Sequence, residues 1–440
     1  MKIPEQGTPR AALMARMDEL ARSDADWRRG KTWSLVYWAS DEALAVVKEA
    51  YTKFFSENGL NPMAFPSLRR FEQEVMAMAV DLFHGPPGAA GSMTSGGSES
   101  ILMAVKAARD WARVNRPGVK QPKMLVPLSV HPAFEKAAHY FGVSAVHMPL
   151  GEDLRVDVAR ARDLVTADTI LVVGSAPAYP HGVIDPIEEL AALARQHGIL
   201  CHVDACVGGY FLPFLERTGR AVPPWDFRVD GVTSISADLH KYGFAAKGAS
   251  TVVYRSRELR RFQYFTYGDW PGGLYGSPSM TGTRPGGAIA AAWAALNHIG
   301  MDGYTTIARD VMDTTGRILD GIRATPGLRI MGNPVMGVFA FTSDVIDVYG
   351  LADVMEKRGW KLDRQQRPPC LHMMVTPAHK GVVDAFLTDL RECVNGLEHG
   401  KVVPEGSSAM YGMLGSMEDR GAIHDIILDF MDGMDTLDAG

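Results

Sequence analysis

Three short stretches carry side chains suited to one kind of chemistry. The first, Thr94-Ser95-Gly96-Gly97-Ser98-Glu99-Ser100, runs straight into the helical pattern ILMAVKAARDWARV. Glycines let a backbone approach an anion closely, and the free N–H groups of a helix start favour a phosphate there. The same loop would also serve as a plain helix cap. In the second, His202-Val203-Asp204-Ala205-Cys206, an apolar run ends in a carboxylate. That group can pair with a protonated ring nitrogen or simply cap a turn. The third, Ser234-Ile235-Ser236-Ala237-Asp238-Leu239-His240-Lys241-Tyr242-Gly243, carries an amine able to form an imine with an aldehyde cofactor. The adjacent His240 can donate to a phosphate or relay a proton. A lysine taken singly is most often a solvated surface group. The order of the parts, glycine loop, then aspartate, then lysine, is more selective than any one of them. His131, in LSVHPAFEKAA, can stack on a cofactor ring or be an ordinary loop histidine.

These residues need a frame that brings them together. Between Lys123 and Tyr254 the β-rich runs MLVPLS, AVHMPL, TILVVGS, ILCHVDA, GVTSIS and STVVY alternate with helical stretches. The alternation predicts a largely parallel sheet covered by helices, with ligands at the carboxyl ends of its strands. Asp204 and the loops bearing His131 and Lys241 fall at that edge. After RPGGAIAAAWAALNHIG a long helix leads to a strand at VMGVFAFTS, a helix at LADVMEKRG and a strand at LHMMVT, a small α+β unit. The segment before Met93 reads as mainly helical. The division expected is 1–60 as an N-terminal arm, 61–295 as a large domain and 296–440 as a small C-terminal domain.

Composition narrows the function classes. Hydrophobic residues at 46% and charged residues at 22% of 440 predict a chain that folds throughout, apart from its ends. A net charge of -6 argues against nucleic acid and anionic membrane as partners, so any phosphate site must be local. Cys201, Cys206, Cys370 and Cys393 show no CxxC spacing, which suggests neither a disulfide framework, nor a metal site, nor an oxidising compartment. The N-terminus lacks a signal-peptide core, and no run reaches the roughly 18 apolar residues that span a bilayer. A soluble, cytoplasmic enzyme is expected.

TSGGSESILMA, AYPHGVIDPI, HVDACVGGYFLPF, VTSISADLHKYGFAAKGAS and GSPSMTGTRPGG closely resemble the sphingosine-1-phosphate lyase branch of the group II pyridoxal-phosphate (PLP) decarboxylases. The resemblance runs from about Tyr37 to Tyr411. It implies an α/β, fold-type I, aspartate aminotransferase-like large domain with a mostly parallel seven-stranded sheet, plus a small α+β C-terminal domain. It also implies pyridoxal 5'-phosphate held as a Schiff base on Lys241, with Asp204 on the pyridine nitrogen and His131 stacked on the ring. Gly96, Gly97, Ser98 and His240 would hold the cofactor phosphate. Lys247 matches a second family lysine linked to substrate phosphate, and Tyr179 falls where bacterial relatives can carry an active-site tyrosine. Family members are homodimers with shared active sites, and Tyr37 matches a tyrosine lent by the N-terminal arm to the partner. Where the family carries a histidine in an N-P-L-H-P string, Asn61 stands in Asn58-Gly59-Leu60-Asn61-Pro62. Asparagine can donate to phosphate but cannot carry charge or shuttle a proton.

The reaction implied is retro-aldol cleavage of a phosphorylated long-chain base between C2 and C3, giving a fatty aldehyde and phosphoethanolamine. Tyr37, Asn61, Lys247 and Arg284 are candidates for gripping the substrate phosphate, and Arg284 is equally a structural ion-pair partner. The base for the C3 hydroxyl is open between Tyr179, Lys247 and the cofactor phosphate. Two other readings stand beside this one. An amino-acid decarboxylase, or an aldolase for a smaller phosphorylated amino alcohol, would keep the cofactor. A non-catalytic scaffold would not need the lysine, aspartate and glycine loop together.

Overall fold

A computed structural model describes residues 2–61, 63–400, 406, 408–417 and 420–434; Pro62 of the Asn58–Asn61 string lies outside them. Seven strands form the central sheet: β1 (Ala90–Thr94), β2 (Lys123–Pro127), β3 (Ser144–Met148), β4 (Thr169–Ser175), β5 (Leu200–Asp204), β6 (Ser234–Ala237) and β7 (Ser250–Tyr254). Their order is β1-β7-β6-β5-β4-β2-β3. Strands β3, β2, β4, β5 and β6 pair in parallel, while β7 runs antiparallel to both β6 and β1. Strand β4 is buried along its whole length, as its unbroken apolar run requires once helices cover both faces.

Strand β1 is the element missed in the stretch expected to be helical. Its residues, AGSMT, include one large apolar side chain and no alternation. Position decides instead of propensity. A Cβ at Gly91 would collide with Met76 and with the Val252 carbonyl, so glycine alone lets the strand slide between β7 and the helix above it.

Helices α1 (Arg10–Leu20), α2 (Asp41–Lys53), α3 (Pro66–Leu82) and α4 (Gly97–Asn115) occupy the first part of the chain. Helix α4 buries Ile101, Leu102, Met103, Ala104 and Val105 in succession, so it is enclosed rather than amphipathic at its start. A long helical segment, Gly286–Arg323, bends at Gly300, whose φ of 63° and ψ of 174° interrupt the helix. Beyond a short hairpin of β8 (Phe265–Tyr267) and β9 (Tyr275–Ser277) comes an antiparallel sheet of β10 (Leu328–Ile330), β11 (Val338–Ser343), β12 (Asp363–Gln365) and β13 (Cys370–Met374), in the order β10-β11-β13-β12. The three-residue strands β10 and β12 were not foreseen, being too short to show a period.

The N-terminal segment is stitched onto this small sheet. Thr32 bridges Lys361, and the Trp33 carbonyl accepts from the Met374 N–H at 2.6 Å. Trp33 is fully buried, stacked on His379 at 4.2 Å and tilted on Phe386 at 4.7 Å. This attachment delivers Ser34 and Tyr37 to the middle of the molecule. Among the described residues, no helix is long and apolar enough to cross a membrane.

Candidate active site

The register of β5 and β6 builds the first part of the site. His202 lies opposite Ser234, and Asp204 opposite Ser236. Residues two apart on a strand share a face, so the four side chains form one connected patch. His202 Nδ1 is 2.9 Å from Ser234 Oγ and Nε2 is 3.1 Å from Ser236 Oγ. Ser236 then donates to Asp204 Oδ1 at 3.2 Å, and the Cys206 N–H donates to the same oxygen at 3.0 Å. Both hydrogen bonds of the Asp204 carboxylate among the described residues fall on Oδ1, which leaves Oδ2 able to accept from a ring cation. Burial drives the His202 pKa down to about 4, so this ring is neutral, one nitrogen donating and the other accepting.

Strand β6 then runs out into the lysine loop. Asp238, 2% exposed, places Oδ2 2.9 Å from Lys241 Nζ and accepts from Ser250 at 2.5 Å on Oδ1. Burial pulls the lysine toward neutrality, but Asp238 outweighs it and holds the ammonium above its ordinary range. Burial likewise opposes ionisation of Asp238, and Lys241 and His240 overcome it, keeping the carboxyl below its usual range. Asp238 was not singled out from the sequence. The available signal was a carboxylate three residues before the lysine, at the end of a buried strand.

Helix α4 starts against this loop. A Cβ on Gly97 would lie 2.7 Å from Asp238 Oδ2 and 2.8 Å from Cys206 Sγ, and one on Gly96 would lie 3.3 Å from His240 Cε1. The glycines therefore admit the backbone to the floor of the site. Glu99 fixes the turn, its Oε2 accepting from the Ser95 N–H and Oγ at 2.6 and 2.7 Å, and its Oε1 accepting from the Met280 N–H at 2.7 Å. Ser100 ties the same turn to Thr94 at 2.6 Å and Ser250 at 2.8 Å. The first N–H groups of the 19-residue helix have no acceptor within it, and the exposed Ser98 stands beside them. The buried Cys206 thiol, pushed up by burial, also feels Asp204, Asp238 and Lys241, which shows how closely the three charges converge.

A second cluster faces the lysine from the small-sheet side. Tyr37 is carried to this side by residues 32–34, which are bonded to the small sheet. Its ring meets Tyr242 edge-on at 5.1 Å and its hydroxyl donates to Met374 Sδ at 3.0 Å. Lys247 Nζ sits 5.2 Å over the Tyr37 ring and donates to the Leu35 carbonyl at 2.9 Å. Loss of solvent around the ammonium, reinforced by repulsion from Lys241, lowers its pKa. Tyr179 lies over His372 at 4.3 Å and donates to Asp363 Oδ2 at 3.3 Å. Burial, then Asp363, push its phenol up to about 12.

Three further candidates make contacts of their own. His131, exposed on the loop after β2, accepts the Ala133 N–H at 3.1 Å and makes no hydrogen bond to Lys241 or Asp204. Asn61, also exposed, accepts the N–H groups of Met63 and Ala64 at 2.9 and 3.3 Å, a local turn. Arg284 pairs with Glu72 at 2.5 Å and donates to the Gly59 carbonyl at 3.2 Å.

A lysine able to form an imine once its proton passes to Asp238, a strand-end carboxylate for a ring cation and an open helix start for a dianion form a donor set that fits pyridoxal phosphate. On a sheet of this topology they define a fold-type I PLP enzyme. Comparison with known proteins agrees. The conserved domain of pyridoxal-dependent decarboxylases matches residues 25–344. A sphingosine-1-phosphate lyase of Arabidopsis thaliana is 42% identical over 429 residues, covering 96% of this chain and 78% of the relative. The solved structure of a Burkholderia pseudomallei sphingosine-1-phosphate lyase superposes with a TM-score of 0.91 at 39% identity, over 99% of this chain and 97% of the other. A Lactobacillus brevis glutamate decarboxylase, 20% identical, shares the fold with a TM-score of 0.80 over 92% and 96% of the two chains. The chain belongs to the pyridoxal-dependent decarboxylase family and, within it, to the sphingosine-1-phosphate lyases. It is a PLP-dependent lyase.

Proposed function

We propose that the enzyme cleaves a phosphorylated long-chain base between C2 and C3, releasing a fatty aldehyde and phosphoethanolamine. The observation that carries the reading is the ion pair of Lys241 with Asp238 directly beneath the Gly96–Gly97 helix start. When bound, pyridoxal phosphate supplies an aldehyde that condenses with amines and a ring that accepts the electron pair of a bond broken beside the amine-bearing carbon.

The protein's own groups do the rest. Lys241 would hold the cofactor covalently, and Asp204, steadied through Ser236 by His202, would pair with its ring nitrogen and keep it protonated. Gly96, Gly97 and Ser98 would offer backbone N–H groups to the cofactor phosphate, and His240 would close that pocket. His131 would cover the ring from the loop after β2. Tyr37 and Lys247 hold the substrate phosphate, Lys247 as a point charge. The commitment of Arg284 to Glu72 favours its structural role. Tyr179 faces the reacting hydroxyl.

The working unit is read as a homodimer with shared active sites, soluble and cytoplasmic, divided as 1–60, 61–295 and 296–440. The exposed Phe55, Leu60 and Met63 around Asn61 support a partner at that face. In the assembled enzyme Asn61 then contributes its amide N–H₂ to the substrate phosphate.

The test offers the cofactor-loaded enzyme phosphorylated sphingoid bases and amino acids in parallel. Fatty aldehyde from the former supports the reading. Carbon dioxide from the latter, with no aldehyde, makes it a decarboxylase.

A further inference from the structure

Asp363 joins three segments far apart in sequence. It lies on β12 opposite His372 of β13, accepts the Ser34 hydroxyl of the N-terminal segment at 3.0 Å on Oδ1, and accepts the Tyr179 hydroxyl from the loop after β4 at 3.3 Å on Oδ2. The second bond is long, as catalytic contacts often are before substrate closes the site. Tyr179 has little freedom to leave it. Its ring lies on His372, which is completely buried and whose Nδ1 is 3.3 Å from the Pro180 carbonyl.

We propose that Asp363 is a positioning residue that takes the phenolic proton of Tyr179 while Tyr179 takes the C3 hydroxyl proton of the substrate, so that the two act as one base. The proposal rests on the lyase reading and supplies the base which that reading leaves open.

The surrounding groups favour this assignment. Lys241 faces both Tyr179 and Tyr37 and favours negative charge developing on either phenol. Arg364, beside Asp363 in the chain, is held by Asp353 at 2.6 Å, and its charge partly offsets the burial that raises the Asp363 pKa. His181 and His372 are driven by burial to about 4 and stay neutral at neutral pH, so neither puts a positive charge beside Tyr179. The Lys247 ammonium, engaged with the Leu35 carbonyl and the Tyr37 face, forms no ion pair with a carboxylate among the described residues.

The step balances. The C3 O–H bond breaks and a new O–H bond forms on Tyr179 Oη, while the proton already on Oη moves to Asp363 Oδ2. The electron pair left on the C3 oxygen becomes the second bond of the aldehyde as the C2–C3 bond breaks. The pair of the broken bond stays with the amine-bearing fragment. That fragment then gains a proton at C2, so the net reaction carries one proton from the C3 oxygen to C2, and the Tyr179–Asp363 pair stores it in between.

The test compares Asp363→Asn, Asp363→Glu, Tyr179→Phe and the double variant Asp363→Asn/Tyr179→Phe, all loaded with cofactor. Asp363→Asn is expected to lower kcat by about 100-fold or more with KM within a few-fold, and Asp363→Glu to restore part of the loss. The double variant is expected to be no slower than Tyr179→Phe, because the two residues act as one unit. Independently of turnover, ultraviolet titration of tyrosinate, assigned by Tyr179→Phe, should show the Tyr179 phenol ionising at lower pH in Asp363→Asn. Unchanged kcat in Asp363→Asn, losses that multiply in the double variant, or an unmoved phenol would overturn the proposal. Should wild type not cleave phosphorylated sphingoid bases, the lyase reading falls, while the phenol titration still decides whether Asp363 controls Tyr179.

Discussion

Lys241 and Asp238, three residues apart at the mouth of β6, form an ion pair of 2.9 Å in which the carboxylate is almost wholly buried. The aspartate does two things for the lysine. It pins Nζ where Gly97 leaves room, and it balances the charge until an aldehyde arrives.

Replacing Asp238 with Asn should therefore be costly. It leaves the ammonium facing a buried site without its counter-charge, at about 3 kcal/mol. The pH dependence follows from the depressed carboxyl: the contribution is complete above the unfolded aspartate value of about 4 and is lost as pH falls through the lower folded value. Urea unfolding of the cofactor-free protein across acid pH is the check. Asp238→Asn should be less stable at neutral pH and should lose less on acidification.

Gly97→Ala should damage cofactor binding more than Gly96→Ala. The first methyl group collides with Asp238 and Cys206, whereas the second meets only one carbon of His240 at 3.3 Å. Fluorescence titration with pyridoxal phosphate should show a loss of roughly 10-fold or more in Kd for Gly97→Ala, corresponding to about 1.4 kcal/mol or more.

Four buried histidines, His181, His202, His372 and His379, are held near 4 by burial. Each stays neutral in the folded chain and protonates on unfolding. Their contributions to stability are complete above the unfolded value of about 6.5 and shrink as pH falls from there toward 4. Stability should fall steeply over that window. His202→Asn should flatten the slope by roughly 3 kcal/mol across it, read from denaturant midpoints at successive pH values.

Lys247→Met should act mainly on substrate capture. Its ammonium lies over the Tyr37 ring at 5.2 Å and is not bonded to Lys241 or Asp238. Steady-state kinetics should show KM rising by about 10-fold or more with a smaller change in kcat, the signature of lost ground-state binding.

Much of this site could be read from residue order. The strands from Lys123 to Tyr254 are apolar runs ending in polar loops, so their pattern alone puts Asp204 and the Lys241 loop at the ligand-binding edge. Strand β1 stayed hidden because it depends on Gly91 fitting beneath α3, a contact no local pattern encodes. Asp238 and Asp363 stayed hidden for a related reason. A carboxylate gains its role from what faces it, and the partners of Asp363, Ser34 and Tyr179, are remote in the chain. Asn61 and Arg284 were visible as residue types, but their local turn and ion pair were not.

The most direct test of the account is mass spectrometry of the products formed from sphingosine 1-phosphate by the cofactor-loaded wild type and by Lys241→Ala. The account predicts fatty aldehyde and phosphoethanolamine in equal amounts from wild type and neither from Lys241→Ala. Cleavage that survives the loss of Lys241, or intact substrate with wild type, would contradict it.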